Sequence, residues 1–192
     1  MSDENFVIDT GSNLIKEDKV EPFPVKNENH PLLDEVIPEY TDKLPNQYME
    51  NLTKRLKMTM KLYGGIGLSA NQCGVSARVF VIGTDHFQFV CINPKIIASS
   101  AELKKESEGC LSFPVLYFKI ARAAWVDVEY TNEIGEITQV RLEGLTARCF
   151  LHELDHMNGI KFTKYVGNLA MKMAYEKRDK RIKRAVRQRK NK

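Results

Sequence analysis

The sequence predicts an α+β fold with antiparallel β-sheets, an N-terminal helix and a C-terminal helix. Two patterns carry this. In the middle of the chain, β-branched and aromatic runs come in pairs with tight connections, which favours antiparallel pairing over βαβ units. An apolar recurrence of four residues precedes them, and a helical stretch with apolar residues around much of its circumference follows.

Residues 1–45 are polar and punctuated by Pro22, Pro24, Pro31, Pro38 and Pro45, which predicts an extended N-terminal arm, partly ordered against the body. Asn46 to Tyr63 reads as a helix. Tyr48, Leu52, Leu56 and Met60 recur every four residues, Met49 and Tyr63 widen the stripe, and Gly64-Gly65 stops it. "RVFVI" (Arg78 to Ile82) pairs with "FQFVCI" (Phe87 to Ile92) across Gly83 to His86, and "AAWVDVEY" (Ala123 to Tyr130) with "EITQVRL" (Glu136 to Leu142) across Asn132 to Gly135. Leu145 to Asn158 is the next helix, stopped by Gly159. Leu145, Cys149, Phe150, Leu154 and Met157 surround it, which predicts burial. Helix returns from Gly167, with Leu169, Met173 and Ile182 as sparse apolar positions. The expected organisation is an arm (1–45), a catalytic domain (46–166) and a basic tail (167–192).

A chain of 192 residues with 43% hydrophobic content can bury one sizeable core. No apolar run approaches a bilayer-spanning length, and the N-terminus carries Asp3, Glu4 and Asp9 rather than a signal pattern, so a soluble cytoplasmic protein with no membrane contact is expected. Four cysteines are too sparse for a disulfide framework. The net charge of +4 is unevenly spread: residues 171–192 hold eleven Lys or Arg against Glu176 and Asp179, a local +9, so the rest sums to −5.

Chemistry concentrates in three stretches. In "LHELDHMNG" (Leu151 to Gly159), His152 and His156 stand one helical turn apart and face one spot, as two metal-binding imidazoles would. Glu153 lies about 100° around the helix, where it can flank a metal and take a proton from water. Two histidines at this spacing also occur by packing alone. A catalytic metal site needs a third ligand and an open position. Downstream of Gly159 there is no histidine and no acid before Glu176; upstream, "ESEGCLSFP" (Glu106 to Pro114) offers Cys110, a residue that taken alone is as readily a buried apolar group. Cys73, Cys91 and Cys149 keep that apolar reading. In "GGIGLSANQCG" (Gly64 to Gly74), Gly65 and Gly67 allow close backbone approach to a bound chain, and the Gln72 amide is a candidate oxyanion donor.

Together the stretches "GIGLSANQ" (Gly65 to Gln72), "EGCLS" (Glu108 to Ser112) and "LHELDHMNG" resemble the three ordered motifs of the peptide deformylase family, Gly-x-Gly-x-Ala-Ala-x-Gln, Glu-Gly-Cys-Leu-Ser and Gln-His-Glu-x-Asp-His-Leu-x-Gly. Ser69, Leu151 and Met157 depart from them, and Leu151 loses a polar side chain beside the site. The resemblance implies antiparallel sheets packed around a buried central helix carrying His-Glu-x-x-His. It implies Cys110, His152 and His156 as ligands of one divalent metal, natively Fe2+, with Zn2+ (or Ni2+ or Co2+) as substitute. It further implies Glu153 as proton acceptor, and Gln72 and the backbone N–H of Leu111 as oxyanion donors. Backbone of Ile66, Gly67 and Gly109 would flank a peptide, and Ile66, Leu145, Arg148 and Cys149 would wall a methionine pocket. Asp155 would pair with Arg122. The implied activity is removal of formyl groups from N-formylmethionyl nascent peptides. The tail, with Arg181, Lys183, Arg184, Arg187, Arg189 and Lys190, is expected to contact ribosomal RNA. The alternatives are a metallopeptidase of the same signature and an RNA-associated module with a structural metal.

Overall fold

Asn46 opens the first helix by accepting a hydrogen bond from the backbone N–H of Met49 at 2.9 Å, which satisfies one otherwise unpaired amide of the first turn. The helix runs Gln47–Leu62 (α1) in the computed structural model, which describes residues 20–84 and 87–190. Its buried face is Met49, Leu52, Thr53, Leu56, Thr59 and Met60. This corrects the expected stripe, because Tyr48 and Tyr63 are exposed. Tyr48 covers its ring by stacking on Tyr40, centroids 6.2 Å apart, and keeps its hydroxyl within reach of water, whereas Met49 has no polar tip and goes inside.

Both anticipated strand pairs form, as parts of one five-stranded antiparallel sheet. Its strands are Gly67–Ser69 (β1), Val79–Gly83 (β2), Gln88–Ser99 (β3), Trp125–Thr131 (β6) and Ile137–Glu143 (β7), in the order β1-β2-β3-β6-β7. Phe80 pairs with Cys91, and Val128 with Val140. The tip of the first connection, Asp85 and His86, lies outside the described residues, as do Asp3, Glu4 and Asp9.

A second sheet was not anticipated in extent. Leu103–Cys110 (β4) and Phe113–Ala123 (β5) form a long hairpin of their own. β4 reads as charged and mostly exposed, so it carries little apolar signal; the alternation Leu116, Phe118, Ile120 in β5 was the readable one. The ladder is regular up to Gly109 against Tyr117, then slips so that Cys110 meets Phe113. Residues 114–116 bulge out, with Val115 in the left-handed region at φ 67°, a rare conformation for a β-branched side chain.

Alternation along β2 divides the core. Phe80 and Ile82 pack with Val126, Val128, Phe150, Leu154 and Met157, the last three from helix Gly144–Met157 (α2). Val79 and Val81 point the other way, to Leu52, Leu56 and Met60 of α1. The two helices thus cover opposite faces of β2, and Phe80 meets Phe150 edge-on at 5.1 Å. A third cluster joins Phe113, Leu116, Phe118 and Ile120 to Phe162 and to Met171, Ala174 and Tyr175 of the last helix, Asn168–Lys190 (α3). Leu169, Met173 and Ile182, the apolar positions read from sequence, are exposed instead. Residues upstream of α1 also join the body: Leu33 and Ile37 are buried, and Ile37 N donates to Met157 O at 2.9 Å. No helix among the described residues is long and apolar enough to cross a membrane.

Phe150→Ala should cost about 3–5 kcal/mol in urea denaturation, because a cavity opens between α2 and β2. Ile137→Ala, at a residue 71% exposed, should stay within about 0.5 kcal/mol.

Candidate metal centre and groove

Helical periodicity brings His152 and His156 side by side on α2, ring centroids 5.0 Å apart. The end of β4 brings the sulfur. Cys110 Sγ lies 3.2 Å from His156 Nε2, and Cys110, His152 and His156 each offer a donor atom within 4.8 Å of the others. Among the described residues this is the only grouping of His, Cys, Asp or Glu able to hold a metal ion.

Glu108, two residues before Cys110, sets the orientation of the first imidazole. Its Oε2 is 3.2 Å from His152 Nδ1, so Nδ1 carries a proton and the ring is held with Nε2 as the nitrogen left for other contacts. Two arginines hold this carboxylate. Arg122 donates through Nε and Nη2 at 3.0 Å each, and Arg148 through Nη1 at 2.6 Å. Burial would raise Glu108, but the hydrogen bonds from His152 and Arg122 hold it down at about 2. Arg122 also donates to Asp155 at 2.6 Å, the pair anticipated from sequence, and Asp155 accepts from the Tyr165 hydroxyl at 3.1 Å.

The same neighbours act on the imidazoles. Burial alone would lower His152, but its hydrogen bonds with Cys110 and Glu108 raise it to about 10. His156 goes the other way, pushed well down by burial and then by the charge on His152. One thiolate and two imidazoles are donor types that suit a borderline divalent cation, and the donor set fits it.

Glu153 is buried beside these donors. Its Oε2 has no hydrogen-bond partner among the described residues, and burial lifts its carboxyl to about 7 against the opposing pull of His152. Gly67 explains how it is sealed in. A Cβ on Gly67 would collide with Glu153 Oε1 and lie 2.6 Å from Cys149 Sγ, so strand and helix approach only because no side chain intervenes. The glycine at 67 thus answers to the helix behind it.

Gln72 sits on the 3₁₀ turn Ala70–Cys73. Its Oε1 accepts from Ser69 N (3.0 Å) and Ser69 Oγ (2.9 Å), so the amide can turn only its Nε2 to the site, 3.3 Å from Cys110 Sγ and 3.2 Å from Ser112 Oγ. A groove of ≈ 460 Å³ opens from these groups, within the size range of small-ligand pockets. Ile66 and Gly67 line it from the β1 segment, and Gly109 and Leu111 from the β4–β5 hairpin. Leu145, Arg148 and Cys149 line it from α2. Arg148 turns its guanidinium away from water, to Glu106, Glu108 and the carbonyls of Ile120 and Lys104. Cys149 donates to Ile66 O at 3.2 Å. Two groups escaped sequence reasoning: Glu108, although it lies inside "EGCLS", and Tyr117, whose ring lies over Gly109 at the groove wall.

A Cys-His-His donor set at a groove, beside a buried carboxylate, is what a metal-dependent hydrolase requires. This chain belongs to the peptide deformylase family: residues 22–172 match the polypeptide deformylase family model. A peptide deformylase from Synechococcus sp. is 39% identical over 128 residues, which span 64% of this chain and 64% of that relative's length. The solved peptide deformylase of Legionella pneumophila superposes with a TM-score of 0.79 at 32% identity, covering 86% of this chain and 98% of that one. A peptide deformylase from Acinetobacter baumannii, solved with Met-Ala-Ser bound, gives 0.72 at 28% identity over 76% and 98% of the two chains. Members of the family are metalloenzymes that remove N-formyl groups from nascent peptides.

The four cysteines give a direct check of the donor set. Cys73, Cys91 and Cys149 are buried, and burial pushes their thiols up, Cys73 to about 12. In metal-free protein at pH 8, iodoacetamide should therefore modify Cys110 first, and added Zn2+ should protect it, read by peptide mass spectrometry.

Proposed function

We propose that this chain removes the formyl group from N-formylmethionine at the start of nascent polypeptides, releasing formate. The observation that carries this reading is the convergence of one sulfur and two imidazoles beside a buried carboxylate with one unpartnered oxygen. Cys110, His152 and His156 would hold the divalent ion, natively Fe2+, with Zn2+, Ni2+ or Co2+ as substitutes. When bound, the ion supplies Lewis acidity and an acidified water.

The chain's own residues do the rest. Glu153 accepts a proton from the attacking water and delivers it to the amine nitrogen as the C–N bond breaks, so that formate and a free N-terminus result. Gln72 Nε2 and the backbone N–H of Leu111 donate to the carbonyl oxygen as it gains negative charge. Ile66, Gly67 and Gly109 offer backbone to the peptide, which accepts varied sequences, while Ile66, Leu145, Arg148 and Cys149 wall the methionine side chain. In this reading α2 is the buried central helix that carries the motif. The catalytic domain is 46–166, with an arm before it and a basic tail after it, and the protein works in the cytoplasm. The tail meets ribosomal RNA through Arg181, Lys183, Arg184 and Arg187, all on exposed stretches of α3. The side chains of Arg189 and Lys190 lie outside the described residues.

The Fe2+-loaded protein, kept anaerobic, should release formate from formyl-Met-Ala-Ser and leave the peptide bonds intact. Glu153→Ala should abolish this almost completely, and Gln72→Ala should lower kcat by about 10²–10³. Cys110→Ser should lose metal and turnover together; retention of both, or cleavage within the peptide, would favour a peptidase and end this reading. Deleting residues 178–192 should weaken ribosome binding and remove its salt dependence, with turnover on the tripeptide unchanged.

A further inference from the structure

Asn71 stands immediately before Gln72 on the 3₁₀ turn and is completely buried. Its Nδ2 donates to His156 O at 2.7 Å and to Leu32 O at 3.1 Å. Its Oδ1 has no hydrogen-bond partner among the described residues, so what the amide contributes is its donor half. Reversing the amide would set an oxygen against two carbonyl oxygens, so the chemistry of the neighbours fixes this orientation.

The two carbonyls belong to segments remote in sequence. His156 O lies in the last turn of α2, where the i+4 helical donor is missing and Gly159 N donates only at 3.3 Å, so the Asn71 amide at 2.7 Å is its shorter partner. Arg78 serves the next positions: Nη1 donates to Met157 O (3.0 Å) and Ile37 O (3.1 Å), and Nη2 to Asn158 Oδ1 (2.9 Å). Arg78 secures the helix end after the histidine. Asn71 instead grips the backbone of the histidine itself, and it is bonded covalently to the residue whose Nε2 reaches Cys110 Sγ. The opposite side of the turn is pinned as well, since Lys26 N donates to Gln72 O at 2.7 Å.

We propose that Asn71 is a positioning residue that sets the spacing between the Gln72 amide and the metal ligand His156. This rests on the proposed function for the identity of the ligands. Without the donor, the last turn of α2 is free to separate from the Gln72 turn, and the His156 imidazole loses its fixed distance from Cys110 and His152.

The test uses Asn71→Asp, which keeps the shape and replaces the donor with an acceptor, and Asn71→Ala, which removes the side chain if the first variant does not fold. Both are loaded with Co2+. Release of cobalt to excess EDTA should be about 10–100-fold faster than in the wild type, the usual scale for losing a group that orients a ligand. The thiolate–cobalt absorption should shift, and kcat on formyl-Met-Ala-Ser should fall with KM little changed. Met49→Ala, in the buried face of α1, is the control for general destabilisation. Wild-type release rate and spectrum in the Asn71 variants would overturn the proposal, as would equally fast release from Met49→Ala at a matched urea midpoint. If the wild type releases no formate while the Asn71 variants still shed cobalt faster, the proposed reaction falls and the positioning role stands.

Discussion

Glu108 ties the β4–β5 hairpin to helix α2, and the position of the donor set follows from that tie. The hairpin brings Cys110 and α2 brings both imidazoles, and these elements pack in different hydrophobic clusters. Buried charges are costly unless each is paired and hydrogen-bonded. Here Glu108, Arg122 and Arg148 are all nearly inaccessible, and Asp155, Glu106 and His152 complete the set. Removing one partner of such a pair typically costs about 3–5 kcal/mol, since the other charge is left buried alone. The network therefore holds as a whole, and it specifies one register of hairpin against helix. That register puts a sulfur 3.2 Å from an imidazole nitrogen.

Close backbone approach does for the groove what the charge network does for the donors. At Gly67 the strand rests on Glu153 and Cys149, and the carboxylate is sealed from water, which is what raises it. At Gly109 the Tyr117 ring takes the space of a side chain. Beyond it the 114–116 bulge forms part of the wall, with Val115 held in a conformation that costs on the order of 1–3 kcal/mol. Strain of this size persists only where the surroundings dictate it, and here Phe113 and Leu116 on either side are anchored in the third cluster.

The chain ends contribute more than their composition suggests. Residues 20–37 lie across the Gln72 turn and the end of α2, with Leu33 and Ile37 buried. Gly159 packs so tightly on this segment that a Cβ there would fall 2.8 Å from Asp34 O. The same segment reaches the last helix, where Glu28 accepts from Arg178 at 2.7 Å and the guanidinium stacks on Tyr175. Two stretches that read from composition as a polar arm and a basic tail are in contact with each other, and the first is in contact with the site.

Legibility divided along the range of the interactions. The four-residue spacing of His152 and His156, the glycine stops and the two tight strand pairs are local consequences of backbone geometry, and the amino-acid sequence determined them. The stripe of α1 was misread at Tyr48 and Tyr63 because a tyrosine counts as apolar in a periodicity count, and only tertiary neighbours such as Tyr40 beside Tyr48 show that it stays outside. β4 escaped because its side chains are charged and its pairing is with β5 alone. Which sulfur meets the imidazoles, what the Gln72 Nε2 meets across the site, and that Arg148 gives its charge to Glu108 were decided by tertiary structure. Those outcomes rest on contacts between residues some 40 positions apart. Spacing along the chain carries no information about such distances until the hairpin has docked on the helix.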